Sequence, residues 1–310
     1  MASRARLRVL TIVTACAALM MVGSELQAQF LGTNLRGDFG LKSGTQPEPG
    51  IHLTLPLYYG NSYSGLRDRD GNTIAKGLDI KLNVLTVPAL ALTTREKIFG
   101  GVLGLSAALN FTGGRASIDT ADITLSHGYG LSDAYVQPFT LGWYTPRADY
   151  RFGYGFFAPI GSGDRSLDMW AHEISAGSTV YFDDRQLWHF AATAFYEIHQ
   201  NKIGQDLRVG DILEIEGGLG GSFLNGAASV GVAYVAQWKI TNDSGADFPA
   251  LLEKSKSRAF GLGPELNLPV FTAGTLAGLL NARYLWEFGG RSTFEGETFV
   301  AGFTVARLLP

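Results

Sequence analysis

From residue 51 to residue 308, apolar and polar side chains alternate with a period of two through twelve separate stretches. That period belongs to strands whose two faces meet different surroundings. The predicted strands are 51–59, 79–93, 102–112, a pair forming a hairpin within 130–161, then 170–182, 187–199, 211–223, 228–240, 259–271, 276–288 and 298–308. Between them the connections alternate long and short, beginning and ending with long ones. Short examples are Thr145-Pro146-Arg147, Asn225-Gly226 and Thr272-Ala273-Gly274, the second being a strong type I′ hairpin signal. Long ones include 60–78, 113–129 and 241–256. An even strand count with short turns at one end and longer loops at the other is the pattern of an antiparallel transmembrane barrel.

The two faces are chemically unlike. In the second strand of the hairpin, Tyr150, Phe152, Tyr154 and Phe156 share one parity, and Asp149, Arg151, Gly153 and Gly155 share the other. A dry sandwich core has no place for mid-strand charges on its second face, whereas a barrel puts hydrocarbon outside and water inside. The five tryptophans are placed accordingly. Trp143 and Trp188 fall at the short-turn ends of their strands, and Trp170, Trp238 and Trp286 at the long-loop ends, as two interface belts require. The predicted fold is therefore an all-β, antiparallel 12-stranded transmembrane β-barrel spanning residues 50–310, with a soluble periplasmic sandwich as its rival.

Residues 1–28 carry Arg4, Arg6 and Arg8 before an apolar run from Val9 to Val22, then a stretch from Ser24 with Ala28 as a small residue at a plausible cut. This is the three-part pattern of a cleaved signal peptide. A lipoprotein signal ending at Cys16 is the alternative, but the apolar run before it is too short. Cleavage after Ala28 would remove Cys16, the sole cysteine, and with it any disulfide or thiolate metal site. Beyond the leader no apolar run approaches the length of a membrane helix. A net charge of -3 leaves no basic footprint for nucleic acid. Outer-membrane lipid and the barrel-insertion machinery are the expected partners, together with a small hydrophobic solute, and the expected location is the bacterial outer membrane.

Residues 29–49, rich in Gly and Pro, read as an N-terminal extension that either hangs in the periplasm or folds back as a plug. On the inward parity of the strands lie nine acids, Asp79, Asp133, Asp149, Glu173, Glu197, Glu214, Glu216, Glu265 and Glu287, against four bases, Lys81, Arg151, Lys239 and Arg283. His52 and Gln137 share that parity. The set reads either as a self-satisfying network that fills the lumen or as a lining that disfavours anions. Inward Phe139, Phe157, Tyr181 and Phe195 are the candidates for lining a path for an apolar substrate. No cofactor or metal site is expected: His189 and His199 lie ten residues apart on one strand, and Gly217–Gly221 lacks the Lys-Ser/Thr of a phosphate loop. An outer-membrane lipid hydrolase would need His172 paired with a serine on the lipid face. Outward Ser178 is six residues away on the same strand, too far for base activation.

A resemblance joins these readings. Gly130-Leu131-Ser132-Asp133 with Tyr135, Val136, Pro138, Leu141, Gly142 and Trp143 is followed by Ala158-Pro159-Ile160-Gly161, Gly210-Asp211, Leu262-Gly263-Pro264, Glu287-Phe288, Arg291 and Gly296. In order and spacing these resemble the outer-membrane transporter family of the meta-pathway of phenol degradation, over about Gly50 to Val305. The resemblance implies a monomeric or weakly associating barrel that passes hydrophobic, often aromatic, small molecules, and no enzyme activity. A closed-lumen structural or surface-binding barrel is the alternative. Such barrels usually end on an aromatic residue, whereas this sequence ends Leu308-Leu309-Pro310, which leaves Phe303 as the nearest substitute.

Overall fold

The computed structural model describes residues 32–118, 123–161, 163–224, 226–248 and 256–305. The predicted leader, 1–28, lies outside them, as does Asn225 of the Asn-Gly turn. Twelve strands form one closed antiparallel barrel: β1 Gly50–Arg67, β2 Thr73–Ile98, β3 Gly101–Ile118, β4 Ile123–Tyr144, β5 Ala148–Ala158, β6 Ala171–Tyr181, β7 Trp188–His199, β8 Ile212–Phe223, β9 Ala228–Lys239, β10 Arg258–Thr272, β11 Thr275–Arg291 and β12 Thr293–Val305. Each strand pairs with its sequence neighbours, and β1 pairs with β12 to close the ring, so no strand edge is left open. No helix among the described residues is long and apolar enough to cross a membrane.

Side-chain accessibility follows the period of two. Outward Leu262, Val232 and Phe190 are 47%, 45% and 40% exposed, while Ser175, Thr193 and Glu214 on the opposite parity are fully buried. The tight turns run through positive φ at two successive residues, the second a glycine: Phe99 and Gly100 sit at 52° and 77°, Ala273 and Gly274 at 49° and 80°. In the β6–β7 turn the Asp183 carboxylate accepts the amides of Trp188, Arg185 and Leu187 at 2.7, 3.1 and 3.2 Å, and these bonds, Trp188 first, hold its pKa below the usual value.

Three expected long loops are strand instead. Most of 60–78 and 113–129 continues the β1–β2 and β3–β4 ladders, leaving a turn at Asp68–Asn72, and β11 reaches β12 across Ser292 alone. Long connections remain at 159–170, 200–211 and 240–257. The extensions escape a reading of lipid-facing alternation because both faces there carry polar and small residues.

Three mid-strand prolines change the parity. Register breaks fall between Thr54 and Leu57 in β1, between Thr86 and Ala89 in β2, and between Val136 and Phe139 in β4, at Pro56, Pro88 and Pro138. Proline offers no amide to the ladder, so the chain bulges, and one extra residue turns every later side chain to the other face. Several assignments, Asp79 and Lys81 among them, are corrected by this. Lys81, expected in the lumen with Asp79 and Asn83, points outward and pairs with Asp79 at 3.6 Å in an exposed position; Leu82 and Val84 point inward in its place. Phe139, expected on a substrate path, lies on the outer face against Phe152 and Tyr154 at 6.3 and 6.1 Å. Tyr59, which an unbroken alternation from inward His52 would put on the outer face, is buried in the lumen.

Candidate functional site: the lumen

Residues 32–49 run through the barrel interior without forming a strand or helix, so their backbone amides must find acceptors there. The wall supplies carboxylates. Glu197 accepts Thr33 N at 2.8 Å, and Glu216 accepts Phe39 N at 2.6 Å together with Gly37 N. Glu265 accepts Leu41 N at 3.0 Å, and Glu214 accepts the Asn34 side-chain amide at 2.9 Å. Arg36 pairs with Glu287 at 3.4 Å and lies over Tyr63, while Tyr59 donates to the Arg36 carbonyl at 2.9 Å. Much of the surplus of inward acids is thus answered by backbone N–H groups and side chains of the chain's own N-terminal segment. That was legible only as an imbalance, nine against four.

The remaining predicted lumen residues are in place. Glu265 and Arg283 pair at 2.8 Å, Lys239 pairs with Asp243 at 2.9 Å, and Glu197 meets His199 at 3.2 Å. Gln137 accepts from Arg151 at 3.0 Å, and Glu173 accepts the Tyr135 hydroxyl at 2.7 Å. Asp133 holds the β5–β6 connection inward through Ser166 and Leu167 at 2.6 and 2.9 Å, and His52 meets the Glu48 carbonyl at 2.8 Å.

Beside the segment, against β1–β4, is a cavity of about 780 Å³. Leu57, Tyr59, Leu82, Val84 and Phe157 line it, with Leu35, Arg36 and Phe39 of the segment on another side. Several of its polar neighbours are already bonded within the wall: Thr86 donates to Asn110 and Asn61 to Thr298, each at 2.6 Å. The cavity therefore offers an incoming molecule apolar surface and few free hydrogen-bonding groups. Of the four aromatic path candidates only Phe157 lines it. Tyr181 donates to Asp149 at 2.6 Å, and Phe195 stacks on Phe39 at 4.8 Å, both sealed inside by the segment. Leu57, Tyr59, Leu82 and Val84 were missed because parity was carried straight through Pro56 and Pro88.

The five tryptophans all occupy outward positions, Trp143 and Trp188 beside the short turns and Trp170, Trp238 and Trp286 toward the other end. His172 bonds Tyr154 and Gln200 at 2.8 and 3.0 Å, and Ser178 donates to the Asp149 carbonyl, so the two do not meet. Among the described residues no three His, Asp, Glu or Cys side chains are grouped to hold a metal ion.

With this geometry in view, residues 64–303 match the family described as "Putative MetA-pathway of phenol degradation". The chain belongs to this family. Among solved structures it is similar to the COG4313 outer membrane channel from Pseudomonas putida F1, at 13% identity and a TM-score of 0.67, covering 88% of this chain and 99% of that one. It is more distantly similar to the β domain of the Bordetella autotransporter BrkA, at 12% identity and a TM-score of 0.44, covering 83% and 98%. No curated protein sequence matches. The family member described here is a closed, twelve-stranded antiparallel barrel.

Proposed function

We propose that this family member is a passive outer-membrane channel for small, neutral, hydrophobic molecules, aromatic compounds among them, and that it has no catalytic role. The observation that carries the reading is the cavity: about 780 Å³, lined largely by apolar side chains, inside a barrel that buries many charged and polar groups elsewhere. Burying an aromatic solute there removes apolar area from water and strands few hydrogen-bonding groups, because several polar groups at its edge are already bonded within the wall. The family's link to phenol degradation and the channel described for the Pseudomonas protein agree with such a solute.

Uptake of a radiolabelled aromatic hydrocarbon into proteoliposomes tests it. Replacing Leu82 and Val84 together by Asp puts two charges into the cavity and is expected to cut uptake to the level of protein-free vesicles, while the heat-modifiable gel mobility of a folded barrel persists. Wild-type uptake in a folded variant would exclude the cavity as the route and leave the closed-lumen structural barrel as the better reading.

A further inference from the structure

The inner wall of β4, β6 and β7 carries buried polar groups that neither the wall nor the seated N-terminal segment satisfies. Gln137 Nε2, Glu173 Oε2, Ser175 Oγ, Thr179 Oγ1, His189 Nε2 and Thr193 Oγ1 are buried and have no hydrogen-bond partner. They are not scattered. In the β6–β7 ladder, His189 faces Tyr181, Thr179 faces Ala191, Thr193 faces Gly177, Ser175 faces Phe195 and Glu173 faces Glu197, so polar groups recur along the barrel axis from the short-turn end up to the cavity. A column of unmet polar groups opposes burial at every level. A wall whose only state was plugged would gain by being apolar there.

The segment that covers the column is fastened in a manner that water can replace. Its backbone amides are held by Glu197, Glu216 and Glu265, acceptors that hydrate readily, and its apolar anchors among the described residues are three, Leu35 against Tyr59, Val84 and Val300, Phe39 on Phe195, and Leu41 over Gly218 and Gly220. We propose that residues 32–49 are a displaceable plug, and that the vacated lumen is a second, hydrophilic conduit, distinct from the apolar cavity, that passes water and small cations. Cation preference follows from what leaves. Arg36 departs with the plug, while Glu173, Glu197, Glu214 and Glu216 stay on the wall, so acids dominate the opened lumen.

A tether tests this in the full chain. A Cβ at Gly218 would lie 3.2 Å from Leu41 Cα and 2.8 Å from the Val232 carbonyl oxygen, so a Leu41→Cys/Gly218→Cys pair brings a thiol of the plug beside one of the wall, with a small shift of the strand at Val232, and a disulfide can join them. In planar bilayers with potassium chloride, the reduced protein is expected to show large, cation-selective openings. Oxidation, with the cross-link verified by mass, is expected to abolish them, and a reductant to restore them. A cross-linked protein that conducts like the reduced one overturns the proposal, as does a reduced protein that never opens or opens without cation preference. Should the cysteine pair fail to fold, deletion of residues 32–48 takes its place: constant cation-selective conductance supports the plug, and conductance no greater than wild type overturns it.

Discussion

At the residue scale the seat of the N-terminal segment depends on positions that tolerate one side chain only. Gly37 has φ of 82°, and a Cβ there would meet the Leu285 side chain, while its amide reaches Glu216 and its carbonyl accepts from Arg283. Left-handed backbone costs an L residue roughly 1–2 kcal/mol before any clash is counted. Gly37→Ala is therefore expected to loosen the segment without touching the ladder. Hydrogen exchange checks it: amides of 33–41 should exchange faster, while those of β7 and β8 keep wild-type protection. Unchanged exchange at 33–41 would show that the segment is held elsewhere. The sequence offered Gly37 only as one glycine in an irregular stretch. What makes it specific is the approach of β11, a contact nearly 250 residues away in the chain that no local pattern encodes.

At the scale of the strand, the alternation of side chains was legible wherever it ran unbroken. β5 to β9 carry no mid-strand proline, and there the inward acids and outward aromatics lie where their parity puts them. β1, β2 and β4 each bulge at a proline, and beyond the bulge a parity counted from one end of the strand gives the wrong face. The prolines were visible, but whether a bulge inserts one residue or none is decided by the register of both neighbours. The consequence can be measured at a single pair of positions. Lys81→Cys is expected to react with a maleimide bearing a polymer too bulky to enter the lumen, and Leu82→Cys in the same folded barrel is expected not to. The opposite labelling pattern would restore the uninterrupted parity, and the cavity wall built from Leu57, Tyr59, Leu82 and Val84 would lose its basis.

For the whole molecule, the closed ring and its polar interior follow from one requirement: in hydrocarbon every backbone N–H and C=O must be met within the protein, and the β1–β12 pairing meets the last of them. This much the sequence could show, since twelve amphipathic stretches admit few other closures; the occupied lumen it could not, since nothing local says where an irregular segment lies. The same requirement fixes how charge is tolerated on the outer wall. Val232 lies mid-strand in β9, 45% exposed, between Leu219 and Pro264 of its neighbours, and Trp238 lies one residue from the end of that strand. If that wall faces hydrocarbon, an arginine at the middle should cost about 2–4 kcal/mol and one near the rim about 0–1 kcal/mol. Val232→Arg and Trp238→Arg, unfolded by denaturant from phospholipid vesicles, should therefore differ by several-fold in destabilisation after correction for the lost indole. The inward Thr193→Val change should cost less than Val232→Arg, because it removes a hydroxyl that has no partner. Equal costs at the two outward positions would mean that the face carrying Leu262, Val232 and Phe190 does not meet a bilayer, and a channel across the outer membrane would no longer follow from this barrel.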